Sequence, residues 1–212
     1  MARSMSLPFV YLVLVANLMS VTTCAKVQPA SRPSLRVSVF NDAKVPEGQL
    51  LQAEKLAARI FAQASVSVEW LNCGRQDETP EEQAACAEFV FPGHLHVRIL
   101  PRSQTLGLST FGVSFQEEDG SGAQADVFYE GIARLERLGK TDSAIILGAV
   151  IAHELGHLLL GADSHARTGL MRPSWSAADF SPAIAGRLAF TDDQRQSLKA
   201  RLSSANQLYS KK

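Results

Sequence analysis

The sequence predicts an α+β domain. Three observations carry that expectation: alternation of apolar and polar side chains in several short stretches, apolar side chains three and four apart in longer ones, and their order along the chain. That order is strand, helix, several strands, helix, loop, helix, which reads as α+β in one domain. The length of 212 residues suits one domain, since domains most often run to about 100–200 residues. An apolar fraction of 46% supplies a core, and 20% charged residues is ordinary for a globular chain. Lys plus Arg equals Asp plus Glu, at 21 each, so the charge points to neither nucleic acid nor an anionic membrane.

Residues 1–25 read differently from the rest. Arg3 gives a basic start, residues 7–19 are apolar except at Pro8 and Asn17, and residues 20–25 are small and polar apart from Val21. This is the plan of a secretory signal peptide. The apolar run falls short of the roughly 20 residues of a membrane span, so no stable span is expected in the mature chain. Cleavage after Ala25 is expected, with small residues at Thr23 and Ala25; a lipid-anchored start at Cys24 is the alternative. The chain would then be secreted or periplasmic. Removal of Cys24 leaves Cys73 and Cys86, and an even pair in an exported chain suggests a disulfide. The polar, acidic residues 74–85 between them read as a surface loop.

Residues 26–34 carry two prolines and no periodicity and read as a linker, which leaves 35–212 as the domain. Leu35, Val37 and Val39 alternate with polar residues, as in a strand. Leu50, Ala53, Leu56, Ala57, Ile60 and Phe61 mark one face of a helix over 49–64. Val66, Val68 and Trp70 give a second strand, and residues 94–100 a third, ended by Pro101. Residues 111–115 and 125–129 are short strand candidates on either side of a Gly-rich acidic turn over 117–122. Thr141 or Asp142 can cap a long helix that runs to Leu160 and stops at Gly161. Gly169, Pro173 and Pro182 predict that much of 161–189 is irregular. Thr191-Asp192-Asp193-Gln194 is a capping box that opens a last helix running to about Ser204.

Within the long helix stands His153-Glu154-Leu155-Gly156-His157, an HExxH motif. Residues four apart share a helix face, so both imidazoles can reach one ion. Glu154, one step from His153, would flank that ion without ligating it. The stretch before the motif, residues 145–152, is apolar almost all round, which marks a buried helix. Two histidines and a glutamate buried there without partners would be costly, and a metal resolves the cost. Imidazole nitrogen suits Zn²⁺, which in catalytic sites takes three protein ligands and keeps a position for water. One class of HExxH enzymes draws its third ligand from a glutamate on a later helix, and no Glu follows Glu154. The local candidates are Asp163 and His165, just past Gly161. His94 and His96, two apart on a strand, lack a third ligand and read as structural or exposed.

His153 to His157, Gly161, His165 and Gly169-Leu170-Met171 together resemble the metzincin pattern of HExxH, a glycine turn, a third ligand and a methionine turn. The stretch is also similar to a group of bacterial exported proteins that carry a Leu-Leu-Leu-Gly run after the second His and a Ser-His before the methionine. The specific match covers residues 147–175. It departs from the usual spacing: Gly161 lies four residues after His157 and His165 eight after, and Asp163 holds the usual third-ligand place. His165 is favoured as third ligand because neutral imidazole is the commoner choice, with Asp163 the alternative ligand or a partner to an imidazole N–H.

The resemblance implies a metzincin-like twisted mixed sheet with an active-site helix and a C-terminal helix. It implies a zinc-dependent endopeptidase with Glu154 as general base, Met171 as the apolar floor beneath the metal and an edge strand that receives an extended peptide. Residues 111–115 and 125–129 are both open as that strand. The expected partner is a peptide or protein substrate, not nucleic acid. The competing reading is a non-catalytic, zinc-stabilised exported binding protein, to which Glu154 would be unnecessary.

Overall fold

The computed structural model describes residues 32–107, 109–117, 121–138, 141–175, 180 and 186–209. The expected signal peptide, most of the linker and Cys24 lie outside them. The first strand, β1, spans Ser34–Phe40 and buries Leu35, Val37 and Val39 on one face, as their alternation requires. Helix α1 follows over Glu47–Gln63, entered from Pro46, and lays Leu50, Ala53, Leu56, Ala57, Ile60 and Phe61 against the core. Next come β2 (Ser67–Cys73), α2 (Pro80–Ala87) and β3 (His94–Leu100). They are followed by β4 (Gly112–Gln116), β5 (Gly122–Phe128) and α3 (Tyr129–Arg137). Helices α4 (Ser143–Leu160) and α5 (Asp192–Tyr209) complete the described elements.

The strands form one five-stranded mixed sheet in the order β2-β1-β3-β5-β4, so the chain is α+β as expected. β1 pairs in parallel with β2 and β3, and β3 with β5. β4 alone runs antiparallel, on β5, and stands at the edge. Leu95, Val97 and Ile99 of β3 continue the apolar face of β1. Helices α1 and α4 pack together with that core. The apolar composition of α4 therefore serves burial within the domain.

On the opposite face, alternation places Arg36, Ser38 and Phe40 beside His94, His96 and Arg98. The Cys73–Cys86 disulfide forms as expected, with Cα atoms 5.8 Å apart, and ties α2 to the end of β2.

Two expectations need correction. The segment between the cysteines is not all loop. Thr79 caps α2 in a reciprocal capping box with Glu82, and Pro80 occupies its first turn. The second correction concerns 125–129: the strand runs over Gly122–Phe128, and Tyr129 already opens α3.

Candidate metal centre and cleft

Asp142, the N-cap of α4, accepts a hydrogen bond from the Ala144 N–H at 2.7 Å. Gly161 ends the helix with φ of 105°. The last turns between these ends carry the HExxH residues, and the chain returns beneath them through 161–171. Gly156 makes that return possible: a Cβ there would lie 2.6 Å from Met171 Sδ and 2.9 Å from Phe190 Cε1. Met171 is fully buried against the helix at this point.

His153, His157 and His165 come together, each offering a ring nitrogen within 4.8 Å of the others. His157 Nε2 lies 3.1 Å from His153 Nε2 and 3.1 Å from His165 Nε2. The outer nitrogens are engaged elsewhere. His153 Nδ1 donates to the Leu170 carbonyl at 3.0 Å. His157 Nδ1 faces Ser164 Oγ at 3.1 Å and the Gly161 carbonyl at 3.5 Å. A proton on each Nδ1 leaves the Nε2 atoms as lone pairs aimed at one another. Burial lowers the His153 pKa to about 4, with the neighbouring imidazoles acting the same way and the Leu170 carbonyl opposing. Burial, then His165, lowers that of His157. Neutral imidazoles are the form a metal requires.

Nitrogens bonded to one tetrahedral zinc at about 2.0 Å would sit roughly 3.3 Å apart. The observed separations fit that spacing. Asp163 is outside the cluster: it is exposed and borders, with Asp193 and Arg201, a second depression that His165 also lines.

Glu154 is also outside the group of converging ligand atoms. It is 6% exposed, and its carboxylate accepts a 2.6 Å hydrogen bond from Ser114 Oγ on β4. Burial raises its pKa to about 7, against the lowering effect of Ser114. Gly112 on the same strand leaves room for the carboxylate, since a Cβ there would lie 2.6 Å from Glu154 Cγ and Oε1. Gln116 Nε2 donates to the His157 carbonyl, a second tie between β4 and α4.

These residues border a cleft of about 820 Å³. β4 and α4 form one side, Leu135 of α3 and Leu138 just past its end another, and Trp175 packs edge-on to His153 with ring centroids 5.0 Å apart. Of the two candidate edge segments, β4 is the edge, and β5 is enclosed between β3 and β4. Sequence reading missed Gly112, Ser114, Gln116 and the wall from α3. The first three are ordinary strand residues until β4 is known to cross the HExxH turn. The α3 wall had a signal in the helical spacing of Ile132 and Leu135.

No protein-family model matches this chain, and no curated protein matches it. Among solved structures, it is similar to the crystal structure of a zinc-dependent peptidase from Methanocorpusculum labreanum, with a TM-score of 0.49 and 15% identity. That likeness covers 76% of this chain and 99% of the other.

Proposed function

We propose that the chain is an exported zinc-dependent endopeptidase in which His153, His157 and His165 hold the metal and Glu154 is the general base. The observation that carries this reading is the convergence of three Nε2 atoms, with the Nδ1 atoms of His153 and His157 engaged elsewhere, at the floor of a cleft beside the edge strand β4. Bound zinc supplies a Lewis acid that acidifies water and polarises a carbonyl. The chain's own residues do the rest. The outer side of β4, an edge among the described strands, offers backbone N–H and C=O groups to an extended peptide. Glu154, buried beside the histidines with its pKa raised towards neutrality, takes a proton from water and returns it to the leaving amine. Ser114 holds that carboxylate against β4, and Met171 supports the histidine turn from below.

Three protein nitrogens leave a position for water, whereas structural zinc usually takes four protein ligands. This favours the enzyme over the zinc-stabilised binding protein. Residues 1–25 serve as the signal peptide in this reading, consistent with the Cys73–Cys86 disulfide, since disulfides persist in oxidising compartments. The test is a casein or gelatin zymogram of purified, zinc-analysed protein. Clearing that a chelator abolishes and added zinc restores is expected. Full zinc loading with no cleavage across a broad peptide library would favour the binding protein.

A further inference from the structure

Two of the converging histidines stand on a rigid helix, but His165 stands on the loop between Gly161 and Met171. Its side is open to solvent, where a depression of about 340 Å³ runs between the loop and the start of α5. What fixes His165 is therefore a separate question from what fixes His153 and His157. Within the loop, Ser164 N–H donates to the Gly161 carbonyl at 3.2 Å and Ala166 N–H to the Met171 carbonyl at 2.7 Å. Both bonds stay local to the turn. A tie to another element comes from Gln194 in the first turn of α5, whose Nε2 donates to the Ser164 carbonyl at 2.8 Å.

The same side chain also completes the helix cap. Gln194 Oε1 accepts from the Thr191 N–H at 3.0 Å, and the Gln194 N–H donates to Thr191 Oγ1 at 3.4 Å. The two ends of one amide thus act separately, the oxygen closing the cap and the nitrogen gripping the loop. Ser164 is well placed to pass that grip on. It precedes His165 in the chain, and its Oγ is the 3.1 Å partner of His157 Nδ1.

Resting on the zinc reading above, we propose that Gln194 is a positioning residue of the metal site, holding Ser164 so that His165 meets His157 and the His157 ring keeps its outward N–H. A side chain needed only to close the capping box would use its oxygen alone, and glutamate would serve there equally well. The amide nitrogen is the part that glutamate lacks.

Two variants separate the roles. Gln194→Glu keeps the acceptor for Thr191 and loses the donor to Ser164. Thr191→Ala removes the hydroxyl half of the cap and leaves the Gln194–Ser164 bond. Zinc affinity is measured by chelator competition in 0.5 M salt, which screens the added charge. Thermal unfolding and amide hydrogen exchange of the zinc-free full chain are measured beside it. Gln194→Glu is expected to weaken zinc binding about tenfold, the lower end of the usual effect of supporting residues. Exchange should quicken at 164–166 while the melting temperature holds. Thr191→Ala is expected to lower the melting temperature by a few degrees and keep wild-type zinc affinity. Zinc affinity within twofold of wild type in Gln194→Glu, with unchanged exchange in the loop, overturns the proposal. If the wild type binds no zinc, the zinc reading fails separately. Loop exchange then decides this one: faster exchange in Gln194→Glu supports the tie, and equal exchange refutes it.

Discussion

The molecule holds two groups of histidines built to different ends. His94 and His96 stand two apart on β3, with ring centroids 5.6 Å apart. Their nitrogens do not converge: His94 Nε2 meets Ser38 Oγ at 2.8 Å, His96 Nε2 donates to the Glu88 carbonyl at 2.9 Å, and the buried His94 Nδ1 has no hydrogen-bond partner among the described residues, with Glu88 Oε2 3.9 Å away. His153, His157 and His165 show the reverse. There the outer nitrogens of His153 and His157 are satisfied by the chain, and the inner ones face one another. Proximity of histidines is thus a poor guide to a metal centre. The informative feature is whether the remaining ring nitrogens converge on one point.

The sharpest way to exploit this contrast is at Glu154, which sits between the helix histidines and β4. Glu154→Gln keeps the side chain's size and its contact with Ser114 but removes its basicity. Peptidase rate should fall by about two orders of magnitude or more, with zinc stoichiometry at the wild-type level. Initial rates on a quenched peptide beside metal analysis check both halves. An unchanged rate would remove Glu154 from the mechanism, and loss of zinc would make it structural.

The two histidine groups themselves separate next. His165→Ala should weaken zinc binding more than the ~10–100-fold typical of an outer-shell change. His94→Ala and Asp163→Ala should leave zinc affinity near wild type in the same chelator competition. Zinc loss in Asp163→Ala with zinc kept in His165→Ala would reverse the ligand assignment.

Stability should respond on the His94 side of the sheet without disturbing the metal. Replacing Cys73 and Cys86 by Ala unties α2 from β2. The loop-entropy argument gives a loss of roughly 3 kcal/mol, read as a lower denaturant midpoint. Zinc stoichiometry should not change, and a fall in it would show that the two regions are coupled.

An effect no larger than this, and confined to higher pH, concerns a buried acid away from both groups. Burial raises the pKa of Glu54 on α1 from 4.5 to about 7, partly offset by a hydrogen bond from Asn72. The folded protein therefore holds this proton where the unfolded chain releases it. The penalty is absent below pH 4.5, grows as pH rises and is complete above pH 7. Glu54→Gln should stabilise the protein at pH 8, by up to about 3 kcal/mol, and give no gain at pH 4. Equal gains at both pH values would contradict the linkage.

Much of this was legible in the sequence because local rules decided it. Alternation at Leu35, Val37 and Val39 and the apolar spacing from Leu50 to Phe61 marked elements whose faces are buried as read. Asp142 and Gly161 bounded α4 because capping chemistry is local. The helix α2 was hidden by its polarity, although Thr79-Pro80-Glu81-Glu82 held the capping signal. Glu54 escaped notice because a glutamate beside Ala53 reads as a solvated helix position. The edge role of β4 was out of reach, since strand order depends on pairing across the sheet. His165 could be favoured over Asp163 on ligand chemistry, but only the path of the loop brings its Nε2 to His157.

Closure of three imidazoles on one zinc, with a position left for solvent, is measured directly by zinc X-ray absorption of the reconstituted full chain. The expected spectrum fits three imidazole nitrogens at about 2.0–2.1 Å with one or two light oxygen ligands, and drops to two imidazoles in His165→Ala. Two imidazoles in the wild type, four protein ligands with no solvent oxygen, or failure to bind zinc at all would contradict it.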